Sequence, residues 1–466
     1  MIEEVRKNKQ HETADPTISS EAGKIVFRKK NERGELALEK ESSVSVKTNL
    51  QTYLNQVTDH LEKGVIPFWL TRGTDREYGG YLTCYDENGR PTDDTDKYIV
   101  TQTRMIWGLS HFSKHYPDNK ELLEAAKQGV EFFIKYFWDK VHGGWFWKTR
   151  RDGTLVDAGK VTYGQSFAIY ALAEYTLATK DPIGLEYAEK TFDLLQKFGA
   201  DTYRGGYYEN LEPDWSISDP GFPAGDRKSL DIHMHLMEAF TTLAECSGKE
   251  IHYRKLDEVI EIIINKMIHK ESGCGLNQFD LHFQPIPAIN IRRTWNAERA
   301  TGEVIAVPTD TTSYGHNVEL AWLLTKAGDV LGKKNEYDET VAKLVNHALK
   351  YGIDFEKGGV YRDGPHDGQP LVFDKEWWQN CESLVGFLDA YERLGNHEYL
   401  MAFMNIWDFC YENMINHEVG EWRQLLNKNG EVLVGDIGNP WKAIYHSGRA
   451  MMECKIRLQR LIQQSE

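Results

Sequence analysis

The sequence lacks the marks of several large classes of protein. It has no run of roughly 18 apolar residues and no apolar segment near its start, so we expect neither a membrane span nor a secretory signal. Its 55 lysines and arginines are outnumbered by 71 acidic residues, which gives a formal net charge of −16. That balance argues against nucleic acid or an anionic membrane surface as a binding partner.

Cysteine is also scarce. The six cysteines stand at positions 84, 246, 274, 381, 410 and 454, and no two of them form a Cys-x-x-Cys pair. This scatter favours buried, reduced thiols in a cytoplasmic protein over a disulfide or zinc scaffold. Aromatic residues, in contrast, are abundant, with 13 Trp and 23 Tyr. Such a surplus often fills a core, but it also suits a carbohydrate site, where rings stack on sugar faces.

The beginning of the chain differs in pattern from the rest. Residues 1–45 are polar and mixed in charge, with no lasting hydrophobic period. We interpret them as a mobile N-terminal extension in which residues 23–27 can form one short strand. A single large domain is expected over residues 46–466.

A glycine-rich motif recurs six times in that domain, at steps of 62 to 85 residues. A fixed long period is typical of a repeat architecture. Each copy is predicted to form a short β-hairpin, because the glycines allow a tight turn beside a β-prone residue. The copies are Gly79-Gly80-Tyr81, Gly143-Gly144-Trp145, Gly205-Gly206-Tyr207, Gly273-Cys274-Gly275, Gly358-Gly359-Val360 and Gly420-Glu421-Trp422.

Helical periodicity fills the stretches between the copies and predicts twelve helices. They span residues 48–64, 97–115, 119–137, 162–179, 183–199, 229–247, 250–269, 312–331, 334–352, 375–395, 397–416 and 440–463. Short turns and long hairpin loops alternate between them. Six such pairs can close into an all-α (α/α)6 barrel with short β-hairpin loops on one face; an open solenoid is the alternative. In the closed ring the even-numbered helices form the inner layer and all start at the face with the long loops.

The starts of these inner helices carry polar and aromatic residues within otherwise apolar stretches. A polar group on an apolar helix must be satisfied or functional. Six separate stretches deliver such groups to the same end of the predicted ring. The candidates are Arg104, Tyr163, Asp231, His235, His316, Glu319, Trp377, Trp378, Glu382, Trp441 and His446.

Spacing within each helix sharpens the choice among the histidines. His316 has Glu319 at i+3, and His235 has Glu238 at i+3, so each has a carboxylate that can orient the ring or raise its basicity. His233 precedes His235 by two residues and points to a different side of the helix. We therefore expect His235 to face the centre of the ring and His233 to belong to the core.

Other positions allow two interpretations. Arg104 lies among apolar residues and is either half of a buried ion pair or a ligand for hydroxyl and carbonyl groups. Trp377 and Trp378 suit a sugar platform but can equally fill a core. Glu382 and Tyr163 are each either site residues or structural partners.

Several histidines around an aromatic cavity suit proton transfer near neutral pH. Removal of a proton next to a carbonyl needs a base, and inversion of configuration needs an acid on the opposite side. Two histidines from facing inner helices supply both, and an arginine or a third histidine can stabilise the enolate oxygen. No nicotinamide fingerprint is present and residues 328–334 lack P-loop spacing, so no cofactor is expected.

Six segments, covering about residues 50–460 in order, carry a family resemblance. They are Thr103–Trp107, Lys160–Tyr170, His233–Phe240, Tyr314–Trp322, Trp377–Glu382 and Pro440–Arg449. Together they resemble the N-acylglucosamine 2-epimerase and cellobiose 2-epimerase superfamily. The resemblance implies an (α/α)6 barrel that epimerises or isomerises reducing sugars at C2 without a metal or redox cofactor.

The same resemblance implies roles for individual residues. His316 and His446 resemble the acid/base pair that removes and returns the C2 proton through a cis-enediolate, with Glu319 as the partner of His316. His235 and Arg104 resemble the groups near the C1 and C2 oxygens. Contacts to the sugar are implied for Tyr163, Trp377, Trp378 and Trp441, and Asp231 and Glu382 are placed beside them.

The chain departs from the cellobiose pattern at two points. Asp231 stands where Asn is common, and Asn380-Cys381 stands where Gln-Ala is common. The ending Tyr445–Arg449 is nonetheless more similar to the cellobiose and mannose branch than to the N-acylglucosamine branch. The sequence therefore leaves the exact sugar open, together with the choice between a monomer and a homodimer.

Four other functions stay possible at this point. A mannose-type aldose-ketose isomerase would share the enediolate. A glycoside hydrolase on the same barrel class would need two carboxylates at a suitable separation, from Asp226, Asp231, Glu319 and Glu382. A metal site built from His235, His316 and His446, or a ring that only binds sugar or protein, completes the alternatives.

Overall fold

The computed structural model describes residues 25–30, 36–41, 43–288 and 311–464. Twelve long helices run through this part of the chain, and the sequence predicted each of them. Their bounds are α1 Ser43–His60, α2 Ile99–His115, α3 Lys120–Phe137, α4 Thr162–Thr179, α5 Pro182–Leu194, α6 Leu230–Ser247, α7 Glu250–Ile262, α8 Tyr314–Leu331, α9 Asp338–Tyr351, α10 Trp377–Leu394, α11 His397–Phe409 and α12 Ile444–Gln464.

The even-numbered helices form a closed inner ring. Each packs against the next even-numbered helix, and α12 packs against α2, so the ring has no open end. The odd-numbered helices pack outside, in pairs with their inner neighbours. The predicted (α/α)6 barrel is therefore confirmed, and the open solenoid is wrong. Closure buries the inner helices on nearly every side; in α4, residues 162–175 are all buried.

Several outer helices end in a wider turn than an α-helix. Five-residue π-helical segments follow α1, α5, α7 and α11, and another follows a short helix at Ile66–Phe68. All of these segments except Leu61–Val65, which leads into the short helix, are followed directly by a glycine hairpin. The segments are Leu61–Val65, Trp69–Gly73, Leu195–Gly199, Ile263–Met267 and Cys410–Met414.

The six glycine motifs form the six predicted hairpin turns. In each copy the residue before the turn pairs antiparallel with the residue seven positions later. Gly79 and Gly80 have φ values of 85° and 66°, a left-handed conformation that favours glycine. The pairs are Thr74 with Tyr81, Trp138 with Trp145, Ala200 with Tyr207, Ile268 with Gly275, Ile353 with Val360 and Ile415 with Trp422.

Short strands connect neighbouring repeats around the mouth of the barrel. A strand precedes five of the inner helices and pairs antiparallel with a strand of the next glycine loop. The pairs are Lys97–Tyr98 with Lys148–Thr149, Lys160–Val161 with Asn210–Leu211, Arg227–Ser229 with Gln278–Asp280, Thr311–Ser313 with Asp363–Pro365 and Lys375–Glu376 with Leu425–Leu426. Tyr85 pairs with Gly438 to close the circle. The strands are β1 Ile25–Lys30, β2 Leu36–Glu41, β3 Lys97–Tyr98, β4 Lys148–Thr149, β5 Leu155–Asp157, β6 Lys160–Val161, β7 Asn210–Leu211, β8 Arg227–Ser229, β9 Gln278–Asp280, β10 Thr311–Ser313, β11 Asp363–Pro365, β12 Lys375–Glu376, β13 Ile415–Asn416, β14 Glu421–Trp422, β15 Leu425–Leu426 and β16 Val432–Val434.

Ion pairs of buried lysines connect the strands that precede the inner helices to the glycine turns. In four repeats a fully buried lysine donates to an aspartate that also accepts backbone N–H groups of its turn, at 2.8 to 3.0 Å. A buried charge needs such a partner, because desolvation is otherwise costly. The pairs are Lys97 with Asp75, Lys160 with Asp139, Lys228 with Asp201 and Lys375 with Asp354.

A second tie lies in the first turns of the inner helices. One polar side chain there accepts a hydrogen bond from the backbone N–H that follows the glycine turn, as Gln102 does from Tyr81 at 2.9 Å. His233 makes this bond to Tyr207 in α6, so its predicted place in the core is confirmed. Gln165, Asn317 and Asn380 occupy the same position in α4, α8 and α10. These ties fix the depth and rotation of five of the six inner helices.

The predicted N-terminal extension is covered only in part. β1 and β2 form a hairpin, and α1 already begins at Ser43. The expected strand at residues 23–27 corresponds to β1, which runs from Ile25 to Lys30. Residues 1–24, 31–35 and 42 lie outside the described residues.

The structure also describes the cysteines and the apolar character of the helices. All six cysteines are free thiols, and only Cys246 is not buried, so no disulfide forms among them. Within the described ranges, no helix combines the length and apolar character needed to cross a membrane.

Candidate active site

Two residues beyond the loop ties, five of the inner helices present side chains that meet inside the ring, and Arg449 of α12 joins this layer. Contacts join this layer across the barrel as well as between neighbours; Arg449 of α12, for example, contacts acids on α8 and α10. The layer consists of Arg104, Phe167, His235, Glu319, Glu382 and Arg449. Five of these positions are equivalent by the repeat, and the sixth, Arg449, is joined to them by ion pairs, so the predicted convergence at one end of the barrel is present.

His446 lies in the first turn of α12 and is held by a carboxylate. Its Nδ1 is 2.7 Å from Oε1 of Glu382, and its ring is 5% exposed. Burial, with the nearby cations of Arg104 and Arg449, holds the pKa of His446 well below its ordinary value. A neutral ring that donates Nδ1–H to the carboxylate leaves Nε2 as a free base.

Glu382, for which both a sugar contact and a structural role were expected, bonds other residues of the site. Its side chain is fully buried and bonds His446, Arg449 and, at 3.2 Å, the indole N–H of Trp322. No part of Glu382 reaches the cavity, so it orients other groups instead.

His316 and Asp231 face the open part of the cavity. His316 is 19% exposed and Asp231 is 40% exposed, and Nε2 of His316 lies 3.6 Å from Oδ1 of Asp231. Burial lowers the pKa of His316, and Asp231 offsets part of that effect. The pKa of Asp231 is lowered because its contacts with His235 and His316 outweigh burial. A neutral imidazole therefore stands beside an ionised carboxylate.

His235 carries a charge of its own. Its Nδ1 is 3.0 Å from Oε2 of Glu238, as the i+3 spacing predicted, and its Nε2 is 3.3 Å from Oδ1 of Asp231. Burial alone would lower its pKa, but the bonds to Asp231 and Glu238 raise the pKa of His235 to about 10. His235 is therefore an imidazolium at neutral pH.

The expected pairing of Glu319 with His316 is wrong. Oε1 of Glu319 lies 2.8 Å from Nη2 of Arg449, and the charged neighbours of His316 are Asp231, His235, Arg362 and Asp363. Burial, reinforced by Glu382, raises the pKa of Glu319 to about 8. The i+3 rule failed here because the partner of His316 comes from a different inner helix.

Arg104 and Tyr163 lie together on one side of the cavity. Arg104 donates to the hydroxyl of Tyr163 at 2.8 Å and to the backbone carbonyl of Trp441. The rings of Tyr163 and Trp441 are 5.4 Å apart, and Tyr163 also contacts His235 at 5.0 Å. These predicted residues are therefore brought together with the histidines.

The two adjacent tryptophans differ in accessibility. Trp378 is half-buried, with its ring 4.5 Å from His316 and 6.0 Å from His446. Trp377 is only 2% exposed and packs against His446 and Lys442. Trp378 therefore offers the accessible ring face between the two neutral histidines, while Trp377 supports His446 from within the core.

One group of acidic and histidine side chains in the described ranges has the spacing of a metal site. Ligand atoms of Glu319, Glu382 and His446 lie within 4.8 Å of one another. Nη2 of Arg449 is 2.8 Å from Oε1 of both glutamates. The guanidinium of Arg449 therefore provides the positive charge that a metal ion would bring to this group. The alternative set of His235, His316 and His446 does not form such a group among the described residues.

Arg449 is the site residue that the sequence analysis did not select. It is 1% exposed and contacts Glu238, Glu319 and Glu382 at once. Its position three residues after His446, on the same face of an apolar helix, was the available signal.

The closed ring of helix pairs and its cluster of carboxylate-held histidines define the class of the protein: it is an (α/α)6-barrel enzyme. The model of the N-acylglucosamine 2-epimerase (GlcNAc 2-epimerase) family matches residues 80–450. The chain belongs to this family of sugar epimerases and isomerases.

Individual relatives agree with that assignment. The cellobiose 2-epimerase of Bacteroides fragilis is 26% identical over 405 residues, which cover 85% of this chain and 97% of the relative. The D-mannose isomerase of Marinomonas mediterranea is 25% identical over 398 residues, covering 84% and 95%. The solved cellobiose 2-epimerase of Spirochaeta thermophila has a TM-score of 0.79 and 27% identity, covering 90% and 99%.

Proposed function

We propose that the protein inverts C2 of a reducing sugar by proton transfer through a cis-enediolate, with His316 and His446 as the acid/base pair. One observation carries this proposal: two neutral imidazoles, on α8 and α12, flank Trp378 of the intervening α10. A neutral imidazole can remove a weakly acidic proton, and a second histidine that has taken up a proton from solvent can deliver it from the other side.

The first step is removal of the C2 proton. His446 is suited to this because Glu382 holds Nδ1 and leaves Nε2 for the substrate. The electron pair of the broken C–H bond moves into the C1–C2 bond and the carbonyl oxygen. His316, which first takes up a proton from solvent beside the Asp231 carboxylate, delivers that proton to C2 from the opposite face and so inverts the carbon. The proton taken by His446 is then released to solvent. In the reverse direction the two histidines exchange roles.

Negative charge on the enediolate oxygens needs a cation nearby. His235 is an imidazolium fixed by two carboxylates, and Arg104 is a permanent cation beside Tyr163. Donors that are in place before the charge develops stabilise it without reorganisation. His235 and Arg104 are therefore the groups that we assign to the C1 and C2 oxygens.

The sugar itself is held by an aromatic face and an acceptor. Trp378 provides the exposed ring, with Trp441 and Tyr163 on the side of Arg104. Both contacts of Asp231 to histidines use Oδ1. Its remaining oxygen can accept a hydroxyl of the sugar, which favours a neutral polyol over an anionic sugar.

The main alternative is a mannose-type aldose-ketose isomerase, favoured by the similarity to a D-mannose isomerase. It uses the same enediolate but returns the proton to C1. A hydrolase is disfavoured, because Glu319 and Glu382 share one arginine and are not set apart across a cavity.

Proton NMR in deuterium oxide tests the proposal. The protein is incubated separately with cellobiose, mannose, glucose and N-acetylmannosamine. We expect deuterium at C2 and a C2 epimer as product with at least one of them. A ketose product would assign the isomerase instead, and cleavage of cellobiose without exchange would overturn both.

A further inference from the structure

One guanidinium joins four of the six inner helices. Arg449 of α12 contacts Glu238 of α6, and its Nη2 lies 2.8 Å from both Glu319 of α8 and Glu382 of α10. It also donates to the hydroxyl of Tyr445, which in turn donates to Glu238 at 2.7 Å. The side chain is 1% exposed, so it serves this cluster and not the solvent.

Two of the three carboxylates are also the ones that hold histidines. Oε2 of Glu238 meets Nδ1 of His235 at 3.0 Å, while Oε1 of Glu382 meets Nδ1 of His446 at 2.7 Å. Arg449 therefore contacts the two carboxylates that hold these histidines, although it does not contact the histidine rings themselves. A shift of its guanidinium would move both acids and both rings together.

We propose that Arg449 is a positioning residue that fixes His235 and His446 in a common geometry through Glu238 and Glu382. The proposal rests on the proposed epimerase function, in which these histidines are the oxyanion group and one of the two bases. Arg449 itself touches no substrate, because it lies beneath the residues that line the cavity.

Stability alone does not explain this cluster. A buried ion pair can usually be replaced by apolar side chains with little loss, because desolvation offsets the attraction. Here three acids surround one arginine, and burial raises the pKa values of Glu319 and Glu382. An arrangement with more acids than it can ionise is a poor structural device, but it orients two imidazoles well.

The charge of Arg449 also acts on His446. Burial, then Arg104, then Arg449 lower the pKa of His446. Loss of the Arg449 cation should therefore raise that pKa and shift the acid limb of the rate profile upward. The charged or titratable groups that surround His446 are Arg104 of α2, His235 of α6, His316 of α8, Glu382 of α10 and Arg449 of α12.

The experiment compares Arg449→Met with a matched control, Arg457→Met. Arg457 lies eight residues further along α12, is also buried and pairs with Asp389, Glu392 and Glu453; among the described residues it contacts no histidine. We expect kcat of Arg449→Met to fall by about 10²-fold and the acid limb of kcat/KM to rise by about one pH unit. Arg457→Met should keep both within about two-fold and 0.2 pH units of the wild type.

Two further variants keep the test decisive. Arg449→Gln is neutral but still forms hydrogen bonds, so it replaces Arg449→Met if the latter does not fold, and the same upward shift is expected. Arg449→Lys keeps the charge and should return the acid limb to the wild-type position, while kcat stays low because a lysine cannot bridge the carboxylates. A fall in kcat without movement of the limb in the neutral variants would show a merely structural role and overturn the proposal.

A direct titration separates this proposal from the proposed function. The pKa of His446 is followed by NMR of histidine-labelled protein, with its signal assigned by loss in His446→Gln. A higher pKa in the neutral Arg449 variants supports the proposal, and an unchanged pKa contradicts it, even if the wild type acts on none of the sugars. Absence of sugar turnover in the wild type would remove the epimerase function alone.

Discussion

Buried acids are paired with arginines differently at the two ends of the barrel interior. At the end opposite the loops, Arg457 pairs with Asp389 at 3.0 Å, with Glu392 at 3.7 Å and with Glu453. Arg393 also pairs with Asp389, and Arg460 also pairs with Glu392, so three arginines serve these three acids. Thr325 donates to the second oxygen of Asp389 at 2.8 Å. About 12 Å nearer the loops on the same helix, Arg449 faces three acids, and Oε2 of Glu319 has no partner among the described residues.

The consequence shows in the protonation of the acids. Burial would raise the pKa of Glu453, but Arg457 and its neighbours lower it to about 2. Burial raises the pKa of Glu319 to about 8, and the shared Arg449 does not compensate. Acids that are matched in number by arginines mark structure, whereas three acids that share one arginine beside histidines mark a place where protons can move.

The largest expected effect is on catalysis at the loop end. His316→Asn and His446→Asn should each lower kcat by about 10³-fold, because each removes one acid/base group while keeping a polar side chain. The control is His252→Asn, a buried histidine of the outer helix α7 that bonds Ser247. Steady-state assays with wild-type rates in either site variant would contradict the assignment of that histidine.

Stability should respond to pH in opposite ways at the two ends. The folded pKa of Glu453 lies below its ordinary value of 4.5, so this acid stabilises the fold above pH 4.5, and the contribution is lost as pH falls through about 2. The folded pKa of Glu319 is raised, so this acid disfavours the fold increasingly from pH 4.5 to about 8.

Matched variants measure this contrast. Glu453→Gln should lower the free energy of unfolding by about 3 kcal/mol at pH 7, because Arg457 loses a buried partner. Glu319→Gln should raise it by about 1 kcal/mol at pH 8 and change it little at pH 4. Denaturant unfolding measures the free energy of unfolding of both variants at these pH values. A change in the same direction for the two variants would show that the two ends of the barrel do not differ as described.

The smallest expected effect concerns the exposed acid of the cavity. Asp231→Asn removes one of two carboxylates that hold His235 charged, so the pKa of His235 should fall from about 10. We expect kcat/KM for a neutral sugar to fall about five-fold, and the basic limb of the rate profile to move to lower pH. A basic limb that stays in place would mean that Glu238 alone sets the charge of His235.

Much of the fold could be predicted from the sequence because the sequence pattern repeats. Six glycine turns and a helical period predicted the helices and the ring, since each repeat has the same local physics. Within one helix the i+3 rule correctly paired His235 with Glu238 and separated it from His233.

The rule failed where partners come from other helices. His316 lies beside Asp231 of α6 and not Glu319, and Glu319 turns to Arg449 of α12. The four lysine–aspartate ties and the role of Arg449 were likewise missed. Such contacts depend on the rotation and depth of packed helices, which no local pattern specifies.

The pairing of Tyr85 with Gly438 has a consequence for how the chain folds. During synthesis, five of the six sectors can assemble on neighbours already made, but the first glycine loop must wait for a partner about 350 residues later. The hydrogen bond of Arg104 also forms late, because its acceptor is the backbone carbonyl of Trp441. A nascent chain that stops before α12 has an open ring and lacks His446, so the site comes into being only in the last step of folding.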